Sequence, residues 1–325
     1  FGVNAGNSIA SGGNYNVVLG DEAGTALTTG DNNTAIGFEA LSTEDADGNN
    51  TAIGYQALKT LNAGASGFNT AVGVASGTAM TTGVKNTLLG HGSGAALTNA
   101  DFNIAIGFGS LNSDTLGSTS VAIGEQTLNA QNFTTATDSK NTAVGHNAGK
   151  AVTTGVKNTL IGTTSGVSLT DADLNTAVGF DALAADTLGS RSVAIGKSTL
   201  NAQNFTTATD TYNTAVGYHA GLAVTTGVQN TLIGGLAGDA LTDADGNVAV
   251  GYASLTTNVL GSDSVAIGKN ALNVQNPATA VSMLNVAVGK NAGEAITTGT
   301  HNTFVGALAG DATDDGARNT AVGYL

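Results

Sequence analysis

One pentapeptide, Asn-Thr-Ala-Ile/Val-Gly, recurs down the whole chain, and its interval leaves few folds open. Its closing glycines run Gly20, Gly37, Gly54, Gly73, Gly90 and onward to Gly323, 18 in all. Of the 17 intervals between them, 13 are 17 residues, one is 19 and three are 21. A period so short and regular means one small unit stacked on itself, a solenoid. Helical repeats need about 33 residues, and no stretch keeps a helical hydrophobic period. The expectation is therefore all-β: a parallel β-roll or β-solenoid with coils of about 17 residues, one repeat domain over residues 1–325. A triangular β-helix of three hexapeptides per turn is the near competitor. It would need three equivalent apolar corners per coil, and only one pentapeptide is regular.

Composition agrees with stacked strands. Proline occurs once, as a chain that needs every backbone N–H for its neighbours requires. Glycine, at 47 residues, suits tight corners between coils. The absence of cysteine excludes disulfides, thiolate metal sites and thiol catalysis. A net charge of −14 argues against a nucleic-acid partner, which needs clustered Lys and Arg, and against adsorption to anionic lipid. No apolar run approaches the roughly 20 residues of a membrane-spanning helix, so no membrane insertion is expected.

Position one of the pentapeptide is Asn in 15 of 18 copies, which predicts a ladder of stacked amides along the coils. The exceptions, Ser120, Ser192 and Ser264, lie 72 residues apart. Position two is Thr, Val or Ile, and position four always Ile, Val or Leu, side chains suited to strands. Alternation puts positions two and four on one face and one, three and five on the other. Position three is mostly Ala, but Leu88, Leu160, Leu232 and Phe304 recur there, again 72 apart. A strand apolar on both faces implies a second burial partner. The expectation is a homotrimer packed through position three, with Leu88, Leu160, Leu232 and Phe304 at its interface.

Three residues beyond the closing glycine stands a small residue in every copy that continues, from Ala23 to Ala309. The next position alternates in pairs: Gly77, Gly94, Leu111, Leu128, then Gly149, Gly166, Leu183, Leu200. This 72-residue superperiod predicts a second inward-facing strand per coil, built in two alternating ways, and a history of four-coil duplication.

Ser120-Val121-Ala122-Ile123-Gly124, with its copies at Ser192 and Ser264, resembles the head repeat of trimeric autotransporter adhesins. The fuller run Asn141-Thr142-Ala143-Val144-Gly145-His146-Asn147-Ala148-Gly149, then Thr153-Thr154-Gly155, resembles phage tail-fibre-like repeat proteins more closely. The resemblance covers essentially the whole chain. It implies a trimeric β-roll shaft, three chains around one axis, in a virion fibre or a cell-surface appendage. The coils are longer than those of the adhesin heads, and the sequence shows no coiled-coil stalk, membrane β-barrel anchor or tail-fibre chaperone.

Candidate sites are few. Asp45 and Asp47, Asp171 and Asp173, and Asp243 and Asp245 sit in acidic turns, where hard oxygens spaced by two could hold Ca²⁺. Asx-turn chemistry alone also places Asp there, and that is the preferred reading; no other cofactor is expected. The four-residue insertions around Phe133 and Phe205 offer rings that could stack on a ligand such as a sugar, against the preferred reading that they cover the next coil. The aromatics that follow the closing glycine, Phe38 and Tyr55 among them, should cover the edge of the core. The four histidines have no metal-ligand spacing and no catalytic partners, so no enzyme is expected.

The function expected is that of a structural, extracellular shaft supporting attachment to a host or surface. An adhesin binding a receptor or glycan through the side of the coils is the alternative, and a head-to-tail filament subunit the second. Phe1 to Gly6 reads as the tail of another repeat, and Asn319 to Gly323 is a complete pentapeptide followed by Tyr324 and Leu325. Neither end carries the polar repeat that caps a solenoid. A longer parent chain is the preferred expectation, and end-to-end stacking the other. At about 4.8 Å per coil, 18 coils would make a rod on the order of 85 Å.

Overall fold

Each pentapeptide forms a three-residue strand that ends at its glycine for a steric reason. In the computed structural model, which describes residues 2–64 and 66–325, these glycines have φ between 127° and 141°. A Cβ on Gly37 would stand 2.5 Å from the Gly54 carbonyl oxygen, and one on Gly217 2.5 Å from that of Gly234. Successive corners nest so closely that no side chain fits, and the chain leaves the strand there.

The chain divides into two compact units, residues 1–158 and 159–325, each a parallel β-solenoid of this coil. The first carries eight such strands, from Val17–Leu19 through Thr34–Ile36, Thr51–Ile53 and Thr87–Leu89 to Thr142–Val144. The second carries ten, from Thr159–Ile161 through Thr231–Ile233 to Thr320–Val322. Within each unit consecutive strands pair in parallel and without slip, Ala35 against Ala52 and Leu232 against Ala249. Coils of 21 residues add two-residue pairs, Gly117–Ser118 with Thr137–Asp138 and Gly189–Ser190 with Thr209–Asp210. Among the described residues there is no helix.

The expected face is inverted. Positions one and three point into the coil of a single chain, while positions two and four face outward and stay partly exposed. Leu88, Leu160 and Leu232 are 0% exposed and Phe304 1%, so the column assigned to a trimer interface is interior. Room for these four side chains comes from the glycines four residues after the closing glycine. A Cβ on Gly77 or Gly94 would lie 2.8 Å from a Leu88 methyl, and one on Gly221 or Gly238 2.8 Å from a Leu232 methyl. Where position three is Ala, the same space takes Leu183 or Leu200 instead. The 72-residue superperiod is thus a volume exchange between two interior columns.

The second wall of the coil is a run of turns where a second strand was expected. Residues two and four beyond the closing glycine are left-handed, as at Asp181 (φ 54°) and Leu183 (φ 53°). A left-handed leucine costs about 1–2 kcal/mol, which burial of its side chain, about 1.5–3 kcal/mol, offsets. These turns still serve the stack: the Leu183 amide donates to Thr199 O at 3.0 Å, and the Ser198 amide to Phe180 O at 2.8 Å.

The Asn ladder is present, in a different form from amide-to-amide stacking alone. Asn86 Oδ1 accepts the backbone N–H of Asn103 one coil on at 2.9 Å, and its Nδ2 donates to Ala100 O at 2.9 Å. Amide-to-amide bonds supplement this, as from Asn86 Nδ2 to Asn69 Oδ1 at 3.2 Å. Each Asn so satisfies buried backbone groups that the strand leaves open. Where Ser replaces it, a glutamine seven residues after the closing glycine fills in. Gln203 Nε2 donates to Ser192 Oγ at 2.9 Å, and its Oε1 accepts from Asn213 Nδ2 at 2.9 Å.

Candidate functional surfaces

The outward columns at positions two and four make the first surface. In every copy they hold Thr, Val, Ile or Leu, with no charged residue, in a chain of net charge −14. Strict register lines them up: Thr34 beside Thr51 and Ile36 beside Ile53, then Thr231 beside Val248 and Ile233 beside Val250. Each unit presents an uncharged, branched face that neighbouring coils cover only in part.

A second surface follows the closing glycine. Phe38, Tyr55, Phe108, Phe180, Tyr218 and Tyr252 are 39–55% exposed, so they stand outside the core whose edge they were expected to cover. Phe38 and Tyr55 stack at 5.3 Å between centroids, and His91 stacks on Phe108 at 5.2 Å. Lys197 lies over the Tyr218 ring at 5.7 Å.

Phe133 and Phe205 are not ligand platforms. They are 5% and 7% exposed, and each ring lies where a Cβ on Gly117 or Gly189 would stand, at 2.8 and 2.9 Å. Their amides donate to the buried carboxylates of Asp114 and Asp186, at 3.2 Å in both cases. Burial raises the Asp186 carboxyl above its ordinary range, against the bonds from Gln203, Phe205 and Gly189 that hold it down.

The acidic turns are not equivalent. Counted from the closing glycine, Asp171 and Asp173 fall at nine and eleven, as do Asp243 and Asp245, whereas Asp45 and Asp47 fall at eight and ten. Asp243 and Asp245 are exposed; Asp243 Oδ1 accepts from Thr226 Oγ1 at 2.6 Å and Asp245 Oδ1 from the Val228 amide at 2.8 Å. The backbone of Asp173 bonds twice to the next coil, its amide donating to Ser190 Oγ at 2.9 Å and its carbonyl accepting from the Arg191 amide at 3.0 Å. Among the described residues one acidic group brings three carboxylates together: Glu44, Asp45 and Asp47, with oxygens within 4.8 Å of one another. Glu44 is fully buried, and its burial, then the charge of Asp47, push its carboxyl up to about 8. The sequence reading missed Glu44, although its distance from Gly37 marks an interior position.

No pocket opens among the described residues, and no helix there is long and apolar enough to cross a membrane. Compared with family models, curated proteins and solved structures, the chain matches none. The likeness to fibre and adhesin repeats therefore rests on the pentapeptide and its period.

Proposed function

We propose that the chain is a structural shaft segment of an extracellular fibre, of a virion or a cell surface, built from three copies packed through the outward columns of their pentapeptide strands. The observation that carries this reading is the uncharged Thr/Val/Ile/Leu face. Within each unit this branched, uncharged face repeats at every coil, whereas exposed apolar patches ordinary on a monomer are isolated. Its natural complement is an identical face with the same coil spacing. Contact removes Ile and Val methyls from water at about 25 cal/mol per Å², and strands without charge or proline meet no electrostatic or steric penalty there. The number three comes from the resemblance to adhesin heads and tail fibres. The role is mechanical, and no catalytic residue or cofactor is assigned to it.

Light scattering on the intact chain tests the assembly, with the mass of three chains expected. Thr214→Asp with Val216→Asp, both on the outward face, should leave the coils folded and reduce the mass to one chain. A folded wild-type monomer at micromolar concentration overturns the proposal.

The exposed aromatic column favours a second reading, an adhesin that stacks sugar rings on Phe38 and Tyr55. Glycan binding that disappears in Tyr55→Ala without loss of folding would establish it; no binding by the intact chain removes it.

A further inference from the structure

Seven residues after the closing glycine, each coil turns a side chain inward. In coils with glycine four residues after the closing glycine it is apolar, as at Met80, Leu97 and Leu241, in all but the last, which has Thr313. In the leucine coils from Leu111 onward it is polar, and in two of those pairs an acid in the first coil is held by the glutamine of the second. Gln131 Nε2 donates to Asp114 Oδ2 at 2.5 Å, and Gln203 Nε2 to Asp186 Oδ2 at 2.6 Å. Amides of Gly117 and Gly189 complete the carboxylates at 3.0 and 3.1 Å. The same column in the first pair of leucine coils reads Glu44 and then Leu61. Leucine donates nothing. Glu44 is 0% exposed, and neither of its carboxylate oxygens has a hydrogen-bond partner.

A second exception falls in the same coil. Ten residues after the closing glycine, every 17-residue coil has Gly or Ala, such as Gly30, Gly83, Ala100 and Ala244, save the one that has Asp47. Asp47 Oδ2 is likewise buried without a partner. Both carboxylates have buried oxygens without a hydrogen-bond partner, and holding the two ionised side by side calls for a counter-charge. Asp45 stands on the exposed side of the pair.

We propose that Glu44, Asp45 and Asp47 form a calcium site. All donors are carboxylate oxygens, which excludes metals that prefer nitrogen or sulfur. Their mutual separation, within 4.8 Å, fits across a first shell of radius about 2.4 Å, the Ca²⁺–O distance. Magnesium, at about 2.1 Å and reluctant to shed water, does not suit a site whose inner ligand, Glu44, is fully buried. The solvent side at Asp45 admits the waters that complete six to eight ligands. The exposed turns at Asp243 and Asp245 lack an inward carboxylate and are not part of the proposed site.

Calorimetric titration of the intact, metal-stripped chain with CaCl₂ tests this. One Ca²⁺ per chain is expected, with a rise in melting temperature. Glu44→Leu and Asp47→Gly each restore what neighbouring coils carry at that position (Leu27 and Leu61; Gly30 and Gly64), so both variants should fold. Each should lose calcium affinity at least tenfold, and Glu44→Leu should melt higher than wild type in the absence of calcium. Asp243→Asn with Asp245→Asn should keep the full equivalent. No heat and no melting shift at millimolar Ca²⁺ overturns the proposal, as does undiminished binding by Glu44→Leu or equal affinity for Mg²⁺.

Discussion

Replacing Leu232 by Ala asks whether position three is interior, and the structure sets the size of the answer. The side chain is fully buried in its own coil. Losing three carbons at about 0.8 kcal/mol each removes roughly 2.4 kcal/mol of transfer energy. The void adds to that. Its walls above and below are Gly221 and Gly238, where a Cβ would already sit 2.8 Å from Leu232 methyls, and a glycine has no side chain to lean in. The cost should therefore lie high in the usual range of about 2–5 kcal/mol, near 4 kcal/mol. In a solenoid each coil depends on its neighbours, so the loss should be local. Native-state hydrogen exchange should show amides of residues 214–251 opening nearly a thousandfold more often, at about 1.4 kcal/mol per decade. Distant coils should hold their protection. A subunit-interface residue would behave differently: truncation would lower the assembled mass and leave exchange in a separated chain unchanged. Unaltered protection of residues 214–251, together with a lowered mass, refutes the interior placement.

Other perturbations address the polar interior. Asn230→Ala strips the acceptor of the Asn247 N–H (3.0 Å) and the donor to Ala244 O (2.8 Å). Two buried orphans at about 1–3 kcal/mol each should lower stability by roughly 2–6 kcal/mol in urea unfolding, and a loss below about 1 kcal/mol would show that water replaces the amide. Asp186→Asn should become increasingly favourable as pH rises. Burial raises the folded-state carboxyl above its ordinary value of 3.8, so wild-type stability is fullest below that value and falls as pH climbs through the folded-state value. The amide already serves in this column at Asn258, which accepts from the Gly261 amide at 2.8 Å and donates to Gly261 O at 2.7 Å. Melting curves of the two proteins that stay parallel from pH 4 to 7 would contradict this.

The fold class was legible because its strongest constraint is steric and recurs at every coil: a glycine that nests on the next glycine cannot be replaced, so it prints the period. Which face lies inside was harder to read. Ala at position three and Ile at position four are both apolar, and pattern alone does not rank them. The deciding signal was in the chain, as the pairing of Leu88 with Gly77 and Gly94, and of Leu232 with Gly221 and Gly238. It becomes visible only when columns are compared across coils for volume. The turn-built wall had no local signal, since leucine does not ordinarily take a left-handed conformation. The acidic cluster was obscured by the resemblance of Asp45-Ala46-Asp47 to Asp171-Ala172-Asp173. Counting from the closing glycine separates them by one residue, enough to turn Asp47 inward.

The two faces of the strand obey different rules, and the difference bears on function. Inside, substitutions are coupled from coil to coil: Leu at position three requires Gly on both sides, and Ser at position one comes with Gln203 or its equivalents. That coupling makes four coils the smallest interior unit. Outside, Thr, Val and Ile exchange at position two with no partner change in the neighbouring coil, as Thr231 beside Val248 shows. What is kept there is a branched, uncharged outline, not a particular volume. A surface that must mate with copies of itself at every coil needs that outline and little else. Glu44 breaks the interior rule by standing before Leu61 where a glutamine belongs. In an interior mostly satisfied by exchange between coils, the unpartnered carboxylate oxygens of Glu44 and Asp47 mark where the proposed calcium ion would complete the structure.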